Sequence, residues 1–265
     1  MKSGPLPASY PEESPRKPMR FALAKTITER RAPAFYRVTR GLYHTPTLAW
    51  RNALTYLLPT EEQMLRLVDR SFDEVFFVQI GAHDGKTGDH LRSFVLERGW
   101  KGVLVEPVTA MFQRLVENYA GVPGLTFVQA AIANYDGEVK FWRSVEDAPQ
   151  WMGALGSLKR EVIERHVKEF TRYFASDTVP CLTFHTLIRQ AGVRRLNVVL
   201  IDTEGYDYEI LRQIDFPTHR PSLVMYEQRH LSRGDKRAAV DLLKRHGYRV
   251  KRTGDGLNNA AIMKN

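Results

Sequence analysis

From Val75 onward, short apolar runs alternate with segments whose apolar residues recur at helical spacing. That alternation restricts the chain to a sheet with helices packed on its faces. Residues 75–80 (VFFVQI) read as a first strand, followed by a helix carrying Leu91, Phe94 and Val95 and ending at Gly99. Residues 102–105 (GVLV) and 125–128 (LTFV) read as the second and third strands, with Phe112, Leu115, Val116 and Tyr119 striping a helix between them. Residues 197–201 (NVVLI) and 222–226 (SLVMY) give two more strands, each followed by a helical pattern. Two last runs, 248–251 and 260–263, flank a Gly-Asp-Gly-Leu-Asn-Asn turn region that suits a terminal hairpin. The prediction is an α/β fold: a doubly wound, mostly parallel, seven-stranded sheet with an antiparallel last strand.

Residues 145–182 break the rhythm between the third and fourth strands and carry a charged helical pattern around 159–170. Inserts at the carboxyl edge of such sheets often roof the ligand crevice, so this segment is expected to be a lid. Upstream, Thr60 and Gln63 suit a capping box opening a helix with Met64, Leu65 and Val68. Five prolines in the first twenty residues favour extended, unpacked chain, and the aromatic-rich stretch 21–58 suits short helices. The expected organisation is an N-terminal extension over 1–60 and one main domain over 61–265.

Charge is concentrated in the extension. Residues 1–60 hold ten basic and three acidic side chains, so they carry +7 of the formal +9. The near-neutral remainder argues against a nucleic-acid groove across the main domain, whereas the leader suits contact with phosphate or an anionic lipid surface. A single cysteine, Cys181, excludes an internal disulfide and a thiolate metal site, which fits a reducing compartment. No apolar run approaches a membrane span, and the start lacks the apolar core of a secretory signal. The expected location is the cytoplasm, with an Arg-rich mitochondrial-type address as the alternative.

The sharpest local signal is VQIGAHDGKTGD, residues 78–89, between the first strand and first helix. Gly81 and Gly85 permit a sharp turn and close approach of a ligand to the backbone. Glu106 ends the second strand, where a carboxylate accepts hydrogen bonds from both hydroxyls of a ribose. A dinucleotide fingerprint would need glycine where His83 stands, and the run from Gly81 to Thr87 is one residue short of a P-loop. A nucleoside without phosphates needs only the glycine turn and the ribose acid. A nucleotide hydrolase remains the alternative because VVLIDTEG, 198–205, resembles the strand and aspartate that hold magnesium in such enzymes.

With these residues in place, the chain from about Val75 to Met263 resembles the FkbM family of S-adenosylmethionine-dependent methyltransferases. The likeness rests on ordered motifs: VQIGAHDGKTGD, GVLVEP (102–107), AAIANYDG (130–137), LIDTEGYDYEIL (200–211) and MYEQRHL (225–231). It implies the class I methyltransferase fold and O-methyl transfer onto hydroxyls of sugars, glycolipids or small natural products. Carried over, Gln79, Gly81, His83, Gly85 and Thr87 surround the methionine end of S-adenosylmethionine. Glu106 and Pro107 lie at the ribose, and Ala131 and Ile132 border the adenine. His83 departs from the family's frequent asparagine, and the basic leader lies outside the likeness. A non-catalytic cofactor-binding homologue is a further alternative.

A sulfonium methyl donor is already activated, so the protein must align the acceptor oxygen and remove its proton. The ends of the fourth and fifth strands supply candidates: Asp202, Glu204, Glu227 and His230. Two arrangements are open. Asp202 or His230 acts as a general base, or Asp202, Glu227 and Gln228 offer oxygen ligands to Mg2+. The plainer alternative is that Glu204 and Asp207 favour a helix N-terminus and Glu227 pairs with Arg229. Asp89 is expected at the start of the first helix.

Overall fold

The computed structural model describes residues 58–264 apart from 146, 149–151, 153, 154, 167 and 255. The expectations for the leader and the short helices before residue 58 lie outside the described residues. The capping box forms as expected: Gln63 N donates to Thr60 Oγ1 at 3.2 Å and Thr60 N donates to Gln63 Oε1 at 3.0 Å. It opens α1 (Glu61–Asp69), which is followed by β1 (Phe76–Ile80), α2 (Arg92–Arg98), β2 (Lys101–Val105), α3 (Thr109–Asn118) and β3 (Leu125–Val128). Then come β4 (Ala131–Ile132), β5 (Gly137–Ser144), β6 (Gly156–Ser157), α4 (Arg160–His166), a 3-10 turn (Lys168–Tyr173) and β7 (Phe174–Leu182). The chain continues through α5 (Phe184–Gln190), β8 (Val198–Ile201), α6 (Asp207–Leu211), α7 (Phe216–His219) and β9 (Leu223–Glu227). It closes with α8 (Arg233–Arg245), β10 (Tyr248–Arg252) and β11 (Asn258–Met263).

Seven strands form the main sheet in the order β10-β11-β9-β8-β1-β2-β3. β1 pairs in parallel with β2 and β8, while β11 runs antiparallel to both β9 and β10. This is the doubly wound, class I methyltransferase fold anticipated from the sequence. Successive residues of the central strands enter opposite cores. Val78, Val199 and Val224 pack with Leu187, Ile210 and Leu243 of α5, α6 and α8. Phe77, Val198 and Leu223 pack with Leu65, Phe94 and Leu115 of α1, α2 and α3. Burial on both faces explains why these strands read as continuous apolar runs.

The order reverses at β1: the chain moves outward to β2 and β3, then returns to β8 on the other side. Such a switch point opens a crevice at the carboxyl ends of the strands. Beside it lies a second sheet, β4-β7-β5-β6. The sequence pattern marks an insert over 145–182 with a helical pattern around 159–170 and gives no strand between residues 128 and 197. Instead β5 and β7 pair antiparallel from Gly137↔Cys181 to Ser144↔Phe174, and the helical part is confined to α4 and the turn after it. The β7 partners of β5 stand 30 to 44 residues away in sequence, so no tight-turn signal marks this pairing.

Candidate active site

The carboxyl ends of β1, β2 and β8 meet at a cavity of about 980 Å³. Gly81 N and Ala82 N each donate to Val105 O at 3.0 Å, and Asp202 N donates to Ile80 O at 2.9 Å, so the three strand ends are tied together. At Gly81, φ is 83°, and a Cβ there would lie 1.8 Å from Asp202 O. Glycine is therefore required by the approach of two backbones. Gly85 answers a similar demand from α3, since a Cβ would come within 2.5 Å of Leu115 and Tyr119. It is not on the cavity wall, whereas Gly81, Gln79, His83 and Thr87 are.

Glu106 is buried at the cavity edge and accepts His83 N on Oε2 and Val108 N on Oε1, both at 2.9 Å. Burial pushes its carboxyl up to about 7, with the Asp202 charge adding to the rise and the two N–H groups opposing it. Each oxygen keeps a second acceptor direction. Pro107, Ala131 and Ile132 continue the wall as apolar surface. Two polar atoms nearby, Gln79 Oε1 and His83 Nε2, are sealed from solvent with no hydrogen-bond partner among the described residues. Buried polar atoms of this kind call for a ligand or water to complete them.

The loop amides that a phosphate would need are already occupied. Lys86 N and Thr87 N donate to Asp84 Oδ1 at 2.9 and 2.7 Å, and Thr87 Oγ1 donates to Asp84 Oδ2 at 2.7 Å. These donors hold the Asp84 carboxyl down at about 2 against the opposing effect of its burial. Asp89 stands two residues before Leu91, the N-cap of α2, and accepts from Leu91 N, Gln79 Nε2 and Tyr119 Oη at 2.9, 3.2 and 2.8 Å, linking β1 to the end of α3.

Across the cavity stand Asp202 and Glu204. Asp202 opens onto the cavity, and confinement within the cleft, followed by the Glu61 charge, raises its carboxyl to about 6. Glu204 has φ of 51°, an uncommon value for a residue with a side chain. Its Oε2 lies 3.0 Å from His230 Nε2, which lies 3.3 Å from Glu227 Oε1. Burial and the surrounding acids raise both glutamates. Glu227 and His230 stand behind Glu204 and off the cavity wall.

Asp207 is the residue that organises the loop. It is fully buried and accepts Thr203 Oγ1, Gly205 N and Glu227 N at 3.1–3.2 Å, stapling β8 to β9. The Mg2+ set anticipated from the sequence does not converge. Gln228 Nε2 donates to Gly256 O at 2.7 Å, and its Oε1, the atom that would ligate, accepts from Arg252 Nη2 at 3.4 Å. Strand-end position alone does not specify which way a side chain turns.

Two contributions escaped the sequence reading. Glu61 of α1 lines the cavity and holds His90 Nε2 at 3.0 Å and Asn258 Nδ2 of β11. Ser157 of β6 donates to Glu204 O at 2.8 Å, and Val162 of α4 sits against Gly205. The insert thus clasps the loop bearing Glu204. The capping box that makes Glu61 the first residue of α1 is a local signal; its meeting with residues near the end of the chain has none.

A family model for the methyltransferase FkbM domain matches residues 79–250, well over half of the chain. The chain belongs to the FkbM methyltransferase family. No curated protein sequence matches it. Among solved structures, the methyltransferase FkbM from Methylobacillus flagellatus KT aligns with a TM-score of 0.49 at 13% identity, covering 88% of this chain and 59% of that one. The chain therefore spans about three-fifths of the length of that protein. Precorrin-6y C5,15-methyltransferase from Geobacter metallireducens GS-15 aligns at 0.39 and 12% identity, covering 76% of this chain and 89% of that one. Aeropyrum pernix fibrillarin in complex with natively bound S-adenosyl-L-methionine aligns at 0.36 and 9% identity, covering 71% and 65% respectively. In this FkbM domain β1 leads into the Gly81 turn and β2 into Glu106, while β8 leads into Asp202 and β9 ends at Glu227. No helix among the described residues is long and apolar enough to cross a membrane.

Proposed function

We propose that this FkbM protein is an S-adenosylmethionine-dependent O-methyltransferase acting on a hydroxyl of a sugar, glycolipid or small natural product. The observation that carries the reading is one cavity with two unlike walls: a ribose-type acid between apolar surfaces on one side, and a cavity-facing carboxylate on the other. When bound, S-adenosylmethionine supplies a methyl group activated on a sulfonium. Glu106 accepts the ribose hydroxyls with the lone pairs that His83 N and Val108 N leave open. Pro107, Ala131 and Ile132 flank the adenine, and the unpartnered Gln79 Oε1 and His83 Nε2 meet polar atoms at the methionine end.

On the other wall, Asp202 takes the proton of the acceptor hydroxyl, its raised carboxyl matched to a base working near neutral pH. The β5–β7 sheet and α4 form the acceptor lid, with Ser157 fixing the loop that bears Glu204. The enzyme is proposed to work in the cytoplasm.

Calorimetric titration with S-adenosylhomocysteine and with MgATP tests the reading. S-adenosylhomocysteine is expected to bind and MgATP is not. Glu106→Ala is expected to weaken the product by about 10- to 100-fold, the loss of a charged hydrogen-bonding group. Binding of MgATP without S-adenosylhomocysteine overturns the assignment.

A further inference from the structure

The group of Glu204, His230 and Glu227 holds more acceptor atoms than its donor can serve. His230 Nε2 lies within 3.3 Å of an oxygen from each glutamate, and it carries at most one proton to share between them. The second oxygen of Glu227, Oε2, is sealed from solvent and accepts no hydrogen bond from any described residue. Glu227 is only 7% exposed, so solvent does not complete it either. Both oxygens hang from one carbon, which keeps the orphan at the same cluster. A buried carboxylate oxygen without a donor is costly. The charge around it is one-sided as well: Asp202 and Asp207 act on both glutamates, with Arg229 opposing them.

We propose that Glu204, Glu227 and His230 bind a divalent transition-metal ion of the manganese, iron or zinc class. Each residue offers a ligand atom, and these atoms lie within 4.8 Å of one another. Ligands about 2.0–2.2 Å from one ion stand roughly 3.0–3.5 Å apart, close to the separations that His230 Nε2 keeps from the two carboxylates. One imidazole and two carboxylates suit these ions better than magnesium, which prefers an all-oxygen shell rich in water. The ion supplies the charge that the orphan oxygen lacks. Three protein ligands leave coordination positions open, and Glu204, the member on the cavity wall, sets the side on which they face an acceptor. This set shares only Glu227 with the one anticipated from the sequence. It requires neither methyl donor nor acceptor, so it stands independently of the proposed reaction.

The test uses the full chain, freed of metal by a chelator and dialysed. Titration with Mn2+, followed by loss of the free-ion paramagnetic resonance signal, is expected to saturate at one ion per chain. Mg2+ is expected to bind at least about tenfold more weakly. His230→Gln and Glu227→Gln are each expected to weaken Mn2+ by about tenfold or more. Mn2+ is expected to raise the melting temperature of the unaltered chain and not that of the variants.

Absence of saturable Mn2+ and Zn2+ binding to the unaltered chain at millimolar ion overturns the proposal, whatever the variants do. Unchanged Mn2+ affinity in both variants overturns it too. A chain that binds S-adenosylhomocysteine but no metal refutes this site and leaves the proposed function standing.

Discussion

On the β1–β2 side of the cavity, protein donors meet each carboxylate, whereas on the β8–β9 side the acids mostly face one another. Glu106, Asp84 and Asp89 each accept at least one backbone N–H. Burial raises the proton affinity of Glu204 and Glu227, Asp202 adds to the rise in both and Glu204 to that of Glu227, with a single imidazole nitrogen between the two glutamates. On the first wall backbone donors fix where each carboxylate points, while Gln79 Oε1 and His83 Nε2 stay unmatched and suit the polar atoms of a ligand. The second keeps an unmet demand for positive charge, and strongly perturbed groups in a cleft are where proton or cation chemistry is expected. The proposed binding and the proposed chemistry therefore fall to different strand pairs of one sheet.

The largest expected effect breaks the two walls apart functionally. Asp202→Ala is expected to lower turnover about 10²- to 10⁴-fold, the usual contribution of a general base, while S-adenosylhomocysteine affinity moves less than about threefold. Equal turnover would remove Asp202 from the chemistry.

Gly81→Ala tests the seam between the walls, because the added methyl meets Asp202 O. It is expected to cost about 3–5 kcal/mol in urea denaturation, at the upper end for single substitutions. A cost below about 1 kcal/mol would show that the strand ends part easily.

A pH series sharpens the contrast further. The Glu106 carboxyl sits at about 7 in the folded chain, above its ordinary value of 4.5, so its ionised, accepting form grows between pH 6 and 8. S-adenosylhomocysteine affinity is expected to rise up to about tenfold across that window, and Glu106→Gln is expected to flatten the rise. The same shift means that Glu106 holds its proton more tightly folded than unfolded. Its contribution to the stability of the ligand-free chain is present below about pH 4.5 and lost as pH climbs through 7. A flat affinity profile in the unaltered chain would take Glu106 out of ligand binding.

The smallest effect is Ser157→Ala, which removes the donor to Glu204 O. It is expected to cost about 1 kcal/mol of stability and to leave S-adenosylhomocysteine affinity unchanged, since outside the insert the Ser157 hydroxyl bonds the loop that bears Glu204. A matching loss of product affinity would mean that the walls are coupled through the loop.

Much of this arrangement is legible in the residues themselves. Strands buried on both faces declare themselves as apolar runs, so the seven-stranded sheet follows from the pattern, and Glu106, Asp202 and Glu227 follow as strand ends on one edge. The capping box at Thr60 is equally local. What the pattern does not carry is direction and partnership. Gln228 and His230 lie two residues apart just beyond β9, yet Gln228 turns to the terminal hairpin and His230 to the acids. Glu61 reaches Asn258 across 197 residues of sequence. The β5–β7 sheet forms where a helix pattern draws attention to its middle.

The sequence by itself determined the strands of the main sheet, their parallel arrangement and the edge where the acids gather, because periodicities of two and 3.6 residues are properties of the local chain. Only the tertiary structure decided that Gly81 serves a backbone contact, that Asp84 fills its own loop, and that Glu204, Glu227 and His230 converge. Those outcomes depend on how segments far apart in sequence pack, and spacing along the chain does not encode the distance between side chains brought together by folding.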